Sequence, residues 1–168
     1  MRNEEKMRKE QEGRQALAGM LSYCLRNNQD AVDFCLLLWD IAQVWDDLVD
    51  RDNSRSMYEI SKIFFDCLIS LQRNLFYQKY QNHLIPLIAN TILKWYDSEI
   101  LEREKASEDD LHKAYMLRAG LYDIFNYCAY LVGGFAWATA VGAQMRRMYA
   151  ERYEEYREEI MKEVKEDA

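Results

Sequence analysis

Proline, glycine and histidine are scarce in this chain, and acids outnumber bases. Its 168 residues include one Pro, six Gly and two His, and 29 acids against 22 bases give a formal net charge of −7. So few helix-breaking residues, beside long apolar runs, argue for an all-α protein. The excess of acid disfavours binding to nucleic acid or to an anionic membrane, because no basic face is available to neutralise phosphates.

The sequence also lacks any pair of cysteines with the spacing of zinc ligands. Its four cysteines are scattered through apolar stretches: Cys24, Cys35, Cys67 and Cys128. With two histidines as the other soft ligands, no zinc site is expected. We expect reduced thiols packed in a core, as is typical of a cytoplasmic protein. Residues 1–14 form a charged lead-in without the apolar region of a signal peptide.

One uncharged run is long enough to cross a bilayer. It extends from Ile124 to Met145. Because it holds Asn126, Gln144 and several tyrosines, we interpret it as a buried bundle helix, with a membrane span as the alternative. The pair Gly133–Gly134 could divide this helix in two.

The stretch 30–50 predicts the central helix of the fold. It is apolar on nearly every side, which is typical of a helix in the middle of a bundle. Asp33, Asp40 and Asp47 recur seven residues apart, so each falls within roughly 20° of the last around the helix. The sequence therefore predicts a stripe of three carboxylates in the interior, where each needs a partner.

Two basic residues in apolar surroundings are candidates to neutralise this stripe. Lys94 and Arg118 lie in later helical stretches. We expect an internal ion-pair network of Asp33, Asp40, Asp47, Lys94 and Arg118, since buried charges are usually paired. The alternative is a metal or substrate site on the same carboxylates.

Local signals place the remaining helices. Ser56 and Glu59 have the spacing of a capping box, which predicts a second helix to about Lys79. A turn over 80–85 and Pro86 at a helix start predict a third helix, and Ser107 begins a fourth. The predicted inward face of the second helix comprises Ile60, Ile63, Phe64, Cys67, Leu68, Leu71 and Leu75, and that of the third includes Ile92.

These signals predict one all-α domain over 1–168, a single bundle of four or five helices. Its last part, 147–168, is a highly charged helix that carries one narrow apolar stripe. Such a stripe packs against the bundle or offers a seam to a partner. The predicted partner seam comprises Tyr149, Tyr153, Tyr156, Ile160 and Val164.

The sharpest chemical motif closes the central helix. In DDLVD, Asp46 and Asp50 lie one turn apart with Asp47 beside them, and carboxylates so placed can hold Mg²⁺ on a diphosphate. The motif resembles the aspartate-rich segment of isoprenoid diphosphate synthases, although this chain is shorter and has no second such motif. The resemblance implies a magnesium-dependent enzyme of diphosphate chemistry, with Asp46, Asp47 and Asp50 as ligands.

A second resemblance covers more of the chain. The succession WDDLVDRD, LFYQKYQNHLIPLIANTILKWYDSE, AYMLRAG and YLVGG is similar to small helical proteins of unassigned role from tailed phages. It implies a phage setting, in the host cytoplasm or in the virion, and implies no mechanism.

The sequence thus favours a non-catalytic structural or interaction protein in the phage setting just named, one that uses no cofactor. It would assemble with a protein partner or with itself through the C-terminal helix. The alternatives are the magnesium-dependent enzyme and a small membrane-active protein using the uncharged run. No pair of a nucleophile and a base is evident in the sequence.

Overall fold

The computed structural model describes residues 2–49, 55–103, 107–149 and 151–166. Nearly all of them are helical and none is in a strand, which confirms the all-α prediction. One turn of π-helix, Asp66–Ser70, lies between α3 and α4. The helices are α1 (Arg2–Cys24), α2 (Gln29–Val49), α3 (Met57–Phe65), α4 (Leu71–Arg73), α5 (Leu75–Arg103), α6 (Glu108–Arg118), α7 (Leu121–Arg146) and α8 (Tyr153–Glu166).

α2 is the central helix, as predicted. It contacts α1, α3, α5 and α7. Its apolar side chains are buried among residues of those helices, and Phe34 stacks on Tyr77 of α5 with 5.9 Å between ring centroids. The helix begins at Gln29, one residue before the predicted start, and the side chain of Asn28 accepts a hydrogen bond from the Ala31 amide.

The break after α4 is at Asn74, and the predicted turn over 80–85 is wrong. Asn74 has an extended backbone (ψ 124°), and its side chain accepts a hydrogen bond from the Tyr77 amide and donates one to the Asp30 carbonyl. A side chain that caps α5 and ties it to α2 fixes the helix start here. Pro86 therefore lies inside α5, not at its start.

α3 lies at the edge of the bundle, and much of its predicted inward face is exposed. Phe64 is 65% exposed, Leu68 of the π turn 68% and Leu75 62%, which corrects the prediction for these residues. The reason is that α3 has one long helix as a neighbour, α2, and buries none of its residues fully. Ile92 on α5 is likewise 47% exposed instead of inward.

α7 is a helical hairpin that reverses at Gly134. This residue has φ +77° and ψ −178°, a conformation that glycine alone adopts readily. Arg146 donates to Asp123 at 2.6 Å, and a Cβ at Gly142 would come within 2.9 Å of Asn126. In a straight helix Asn126 and Gly142 would be about 24 Å apart. The sequence left open whether Gly133–Gly134 divides this helix in two, and the structure shows that it does.

This hairpin changes how the uncharged run is interpreted. By length and composition, residues 108–146 are apolar enough to cross a membrane, and a third of the apolar window is buried. Because the chain reverses at Gly134, neither arm of α7 has the roughly 20 residues that a span requires. The run therefore folds as two short arms that pack on each other.

α8 packs along α6 and forms a second, smaller core. Tyr156 and Ile160 are buried against Leu111 and Ala114 of α6. The C-terminal helix is peripheral, but its predicted seam faces inward. The prediction of a partner seam is wrong for Tyr156 and Ile160, because α6 already covers them. Tyr149 and Tyr153 are half-buried, and the side chain of Val164 lies outside the described residues.

Candidate functional site

The three carboxylates of the predicted stripe have different environments. Asp33 is exposed and accepts a hydrogen bond from Gln29 at 2.7 Å, so its predicted burial is wrong. Asp40 is half-buried and accepts hydrogen bonds from Nε and Nη2 of Arg14, at 2.7 and 2.8 Å. Asp47 is 9% exposed and pairs with Arg55. The stripe faces α1 and the start of α3, so its cations come from there and not from Lys94 or Arg118.

Arg55, whose side chain is 12% exposed, is the first of two arginine centres. Its guanidinium binds Asp47 of α2, Glu10 of α1 at 3.0 Å and Glu59 of α3 at 3.2 Å. Burial lowers the pKa of Arg55, but the three carboxylates outweigh burial and raise it overall. Next to it, the predicted capping box of Ser56 and Glu59 is formed, and hydrogen bonds from Ser56 lower the pKa of Glu59. Arg55 thus joins three helices at one point.

A cavity of about 590 Å³ opens beside this centre, between α1, α2 and α3. Trp39, Val44 and Ile63 supply its apolar wall. Each cation in the wall already has a carboxylate partner: Arg8 with Glu12, Arg14 with Asp40, Arg55 with Asp47 and Lys62 with Asp66. The cavity therefore offers an apolar surface rather than an uncompensated positive charge.

Arg118 is the second arginine centre. Its side chain is 15% exposed at the end of α6, and it donates to Asp46 of α2 at 3.1 Å. It also donates to Glu99 at 3.2 Å and to Glu102 at 3.0 Å, both on α5. The Tyr156 hydroxyl of α8 donates to Glu102 at 2.6 Å. Four helices thus meet at the Arg118 guanidinium. The prediction that Arg118 pairs with the stripe of Asp33, Asp40 and Asp47 is wrong.

This second centre carries more negative than positive charge. Three carboxylates face Arg118, and one further cation, Arg103, reaches Glu99 from the surface at 2.8 Å. Burial raises the pKa of Asp46 and of Glu102, although Arg118 opposes the shift. Burial also lowers the pKa of Arg118, but the surrounding carboxylates raise it overall. Removal of one carboxylate would therefore relieve repulsion, whereas removal of Arg118 would leave several acids without compensation.

The DDLVD segment is divided between the two centres. Asp46 turns to Arg118 and Asp47 turns to Arg55, while Asp50 lies outside the described residues. Across the part of the chain that the structure describes, no group of three or more His, Cys, Asp or Glu side chains could hold a metal ion. Mg²⁺ needs converging carboxylate oxygens. The two described acids diverge and are neutralised by arginines, so they do not fit the diphosphate site that the resemblance implies.

Lys94 belongs to neither arginine centre. Its ammonium lies 2.7 Å from Asp123, which also accepts from Arg146 at 2.6 Å. Burial raises the pKa of Asp123, but the two cations outweigh it and lower that pKa overall. Asp123 thus ties α5 to both arms of α7. The predicted role of Lys94 as a counter-ion of the aspartate stripe is wrong, because the reversal at Gly134 brings Arg146 and Asp123 together beside it.

Glu99 and Glu102 are the buried site residues that the sequence interpretation did not place. Both are at most 6% exposed. Their signal was present: they are three residues apart, and so share the side of α5 that carries Trp95, which contacts Trp45 with 4.1 Å between ring centroids.

No protein-family model matches the sequence, and comparisons with curated proteins and with solved structures give no match either.

Proposed function

We propose that this protein is a non-catalytic interaction protein that works through apolar helix faces. The observation that carries the proposal is the number of large apolar side chains on its outer surface. On α3 and the π turn, Met57 is 84% exposed, Tyr58 74%, Phe64 65% and Leu68 68%. Contiguous exposed apolar surface of this kind is typical of sites that bind proteins or membranes.

The charged groups support the same proposal. Asp46 and Asp47, the two described acids of the DDLVD segment, are engaged by Arg118 and Arg55. A metal on these acids would have to displace Arg118 from Asp46 and Arg55 from Asp47, and would break an inter-element ion pair at each centre. Ion pairs that are already satisfied hold helices together, and the apolar faces remain for a partner.

The route of assembly differs from the one that the sequence suggested. Because Tyr156 and Ile160 pack on α6, the C-terminal helix has little of its apolar stripe to offer. The proposal therefore moves the interaction surface to α3 and α5. On the resemblance alone, we also propose a phage setting, with the protein in the host cytoplasm or in the virion.

Calorimetric titration with Mg²⁺ and pyrophosphate tests the absence of catalysis. We expect no saturable heat from the full chain. Saturable binding that is abolished in Asp47→Asn would overturn the proposal, since it would show that the acid is a ligand. Arg14→Met serves as the matched control, because Arg14 holds Asp40 in the neighbouring ion pair and touches neither Asp46 nor Asp47.

Polar substitution of the α3 face tests the interaction role. We expect the double variant Phe64→Gln, Leu68→Gln to keep the Tm of the parent chain and to bind less of a hydrophobic surface dye. Phe34→Ala, in the core, is the contrasting variant and should lower Tm strongly. A comparable loss of Tm in the double variant would contradict the proposal, because those side chains would then be part of the core.

A further inference from the structure

The outer face of α5 carries a continuous apolar stripe that no other helix in the described chain covers. Ala89 is exposed, and the other members are between 40% and 63% exposed. We call it the α5 stripe; it comprises Ile85, Ala89, Ile92, Leu93, Tyr96 and Ile100. α5, with 29 residues, is the longest of the described helices, so the stripe has a long support.

The stripe is as narrow and as apolar as the face of a helix that packs in a core. At about 100° per residue, its six members fall within an arc of about 100°, the width by which a surface helix contacts its core. No other residue between 85 and 100 falls in this arc. The nearest acid, Glu99, is turned inward to Arg118. The stripe therefore presents five aliphatic side chains and Tyr96 along about 22 Å of α5.

The pattern of the stripe is symmetric about its own midpoint. A two-fold axis between residues 92 and 93 relates Ile85 to Ile100, Ala89 to Tyr96 and Ile92 to Leu93. When two copies of α5 pack antiparallel, these pairs lie opposite each other, because an isologous interface matches each residue with its symmetry mate. The small Ala89 then faces the large Tyr96 twice, which is the alternation that lets two helices interdigitate.

From this self-complementarity we propose that the α5 stripe is the interface of a homodimer, in which a second copy of the chain docks antiparallel on α5. The proposal rests on the proposed interaction function and names its partner. Each copy carries a net charge of −7, so acids in the contact would add to the repulsion between two copies, and the stripe contains none.

The expected affinity follows from the size of the stripe. From the exposed fractions of its members, the contact buries roughly 500 Å² on each copy, the lower end of specific interfaces. The dimer is therefore weak, with a Kd of about micromolar order, and salt strengthens it by screening the repulsion between the two acidic copies.

Sedimentation equilibrium of the full chain and two single variants tests the interface. Leu93→Glu places a carboxylate in the contact twice, by symmetry, and should weaken association by about tenfold or more. Met116→Glu is the matched control, because Met116 of α6 is 69% and Leu93 63% exposed but only Leu93 is in the stripe. We expect this control to remain dimeric. A parent chain that is monomeric at about 0.5 mM, far above a micromolar Kd, or a dimer insensitive to Leu93→Glu, overturns the proposal.

Cysteine cross-linking tests the antiparallel register. On a Cys67→Ser background, which removes the one native thiol that is not buried, Ile85→Cys and Ile100→Cys chains are mixed and oxidised with copper phenanthroline. The antiparallel register predicts a disulfide between positions 85 and 100 of different copies, and none between two copies of Ile85→Cys, which are about 22 Å apart. Efficient cross-linking of Ile85→Cys to itself shows a parallel pair and overturns the proposal.

Failure of the dimer and failure of the proposed function give different results. A monomeric chain that binds neither Mg²⁺ nor pyrophosphate overturns the α5 interface and leaves the non-catalytic function standing. A chain with saturable pyrophosphate binding that Asp47→Asn abolishes overturns the function, whatever its oligomeric state.

Discussion

Arg118 of α6 and Asp46 of α2 lie 3.1 Å apart, from Nη2 to Oδ1, although 72 residues separate them in sequence. The next residue, Asp47, is held by Arg55 at the start of α3. Adjacent acids at the end of the central helix therefore anchor it to two different parts of the bundle. A motif that resembles a metal site serves here as a pair of structural attachments.

Arg118→Met is expected to destabilise the fold by about 3–5 kcal/mol at neutral pH, the typical loss when one partner of a buried ion pair is removed. The substitution keeps side-chain length but leaves Asp46, Glu99 and Glu102 without their shared cation. Urea unfolding followed by circular dichroism measures the change. Arg14→Met is the control: it removes one arginine from a half-exposed pair, so a loss below about 1 kcal/mol is expected. Equal losses of stability in the two variants would show that the Arg118 centre contributes no more to folding than a half-exposed ion pair.

Glu102→Gln is expected to maintain or raise the stability at pH 7. Burial raises the pKa of Glu102 in the folded chain. A raised carboxyl pKa means that the protonated form favours folding, so this contribution is fully present below the unfolded pKa and is lost as pH rises through the folded value. Gln mimics the protonated form, and its advantage should vanish below about pH 3, where the parent residue is protonated in both states.

Glu59→Gln should change the stability with the opposite dependence on pH in the same experiment. Hydrogen bonds from Ser56 lower the pKa of Glu59, so its carboxylate stabilises the fold above the unfolded pKa and the contribution is lost as pH falls. This variant should lose stability at pH 7 and converge on the parent chain in acid. Thermal unfolding from about pH 3 to pH 7 resolves both trends. Parallel trends for the two variants would contradict the assigned directions.

Glycine substitutions in two helices should have opposite effects. Gly134→Ala places a Cβ at φ +77° and ψ −178°, which costs about 1–3 kcal/mol and opposes the reversal of α7. Gly19→Ala, in α1 with nothing within 4 Å of the new Cβ, should stabilise by about 0.5–1 kcal/mol. Urea unfolding compares them. A neutral Gly134→Ala would mean that the hairpin reverses in some other way.

Arg55→Met should loosen one region of the fold and spare another. Arg55 links Glu10 of α1, Asp47 of α2 and Glu59 of α3, and makes none of the described contacts to α6 or α8. Amide hydrogen exchange should accelerate in α1 and in the first turn of α3, while α6 and α8 stay protected. Lys62→Met, whose ion pair to Asp66 is local within the helix, should leave α1 unchanged. Uniform acceleration in Arg55→Met would instead indicate global unfolding.

Features encoded by neighbouring residues could be predicted from the sequence. Both capping boxes, at Ser56 and at Ser107, are formed, because each needs side chains three residues apart and nothing else. The central position of α2 also follows from its own residues, since a helix that is apolar all round has to be covered on every side. The possible break at Gly133–Gly134 could be named for the same reason.

Features that depend on distant partners could not be predicted. The spacing by sevens correctly places Asp33, Asp40 and Asp47 on one side of α2, but burial depends on what lies opposite. Asp33 borders an open cleft with Phe65 and Arg73, whereas Asp47 is covered by Arg55. Which cation meets which acid depends on the order of helices in the bundle. At the break that was missed, Asn74 makes a local cap on the Tyr77 amide and a second contact with the Asp30 carbonyl, 44 residues away, which sequence spacing does not reveal.

A double-mutant cycle of Asp46→Asn and Arg118→Met tests the central claim most directly. If the carboxylate of the DDLVD segment is a structural partner of Arg118, the urea unfolding free energies should show a coupling of about 0.5–3 kcal/mol between the two sites. The same coupling should be found with and without Mg²⁺. Additivity within about 0.3 kcal/mol, together with a Tm that Mg²⁺ raises in the parent chain and not in Asp46→Asn, would contradict the claim and make this carboxylate a metal ligand.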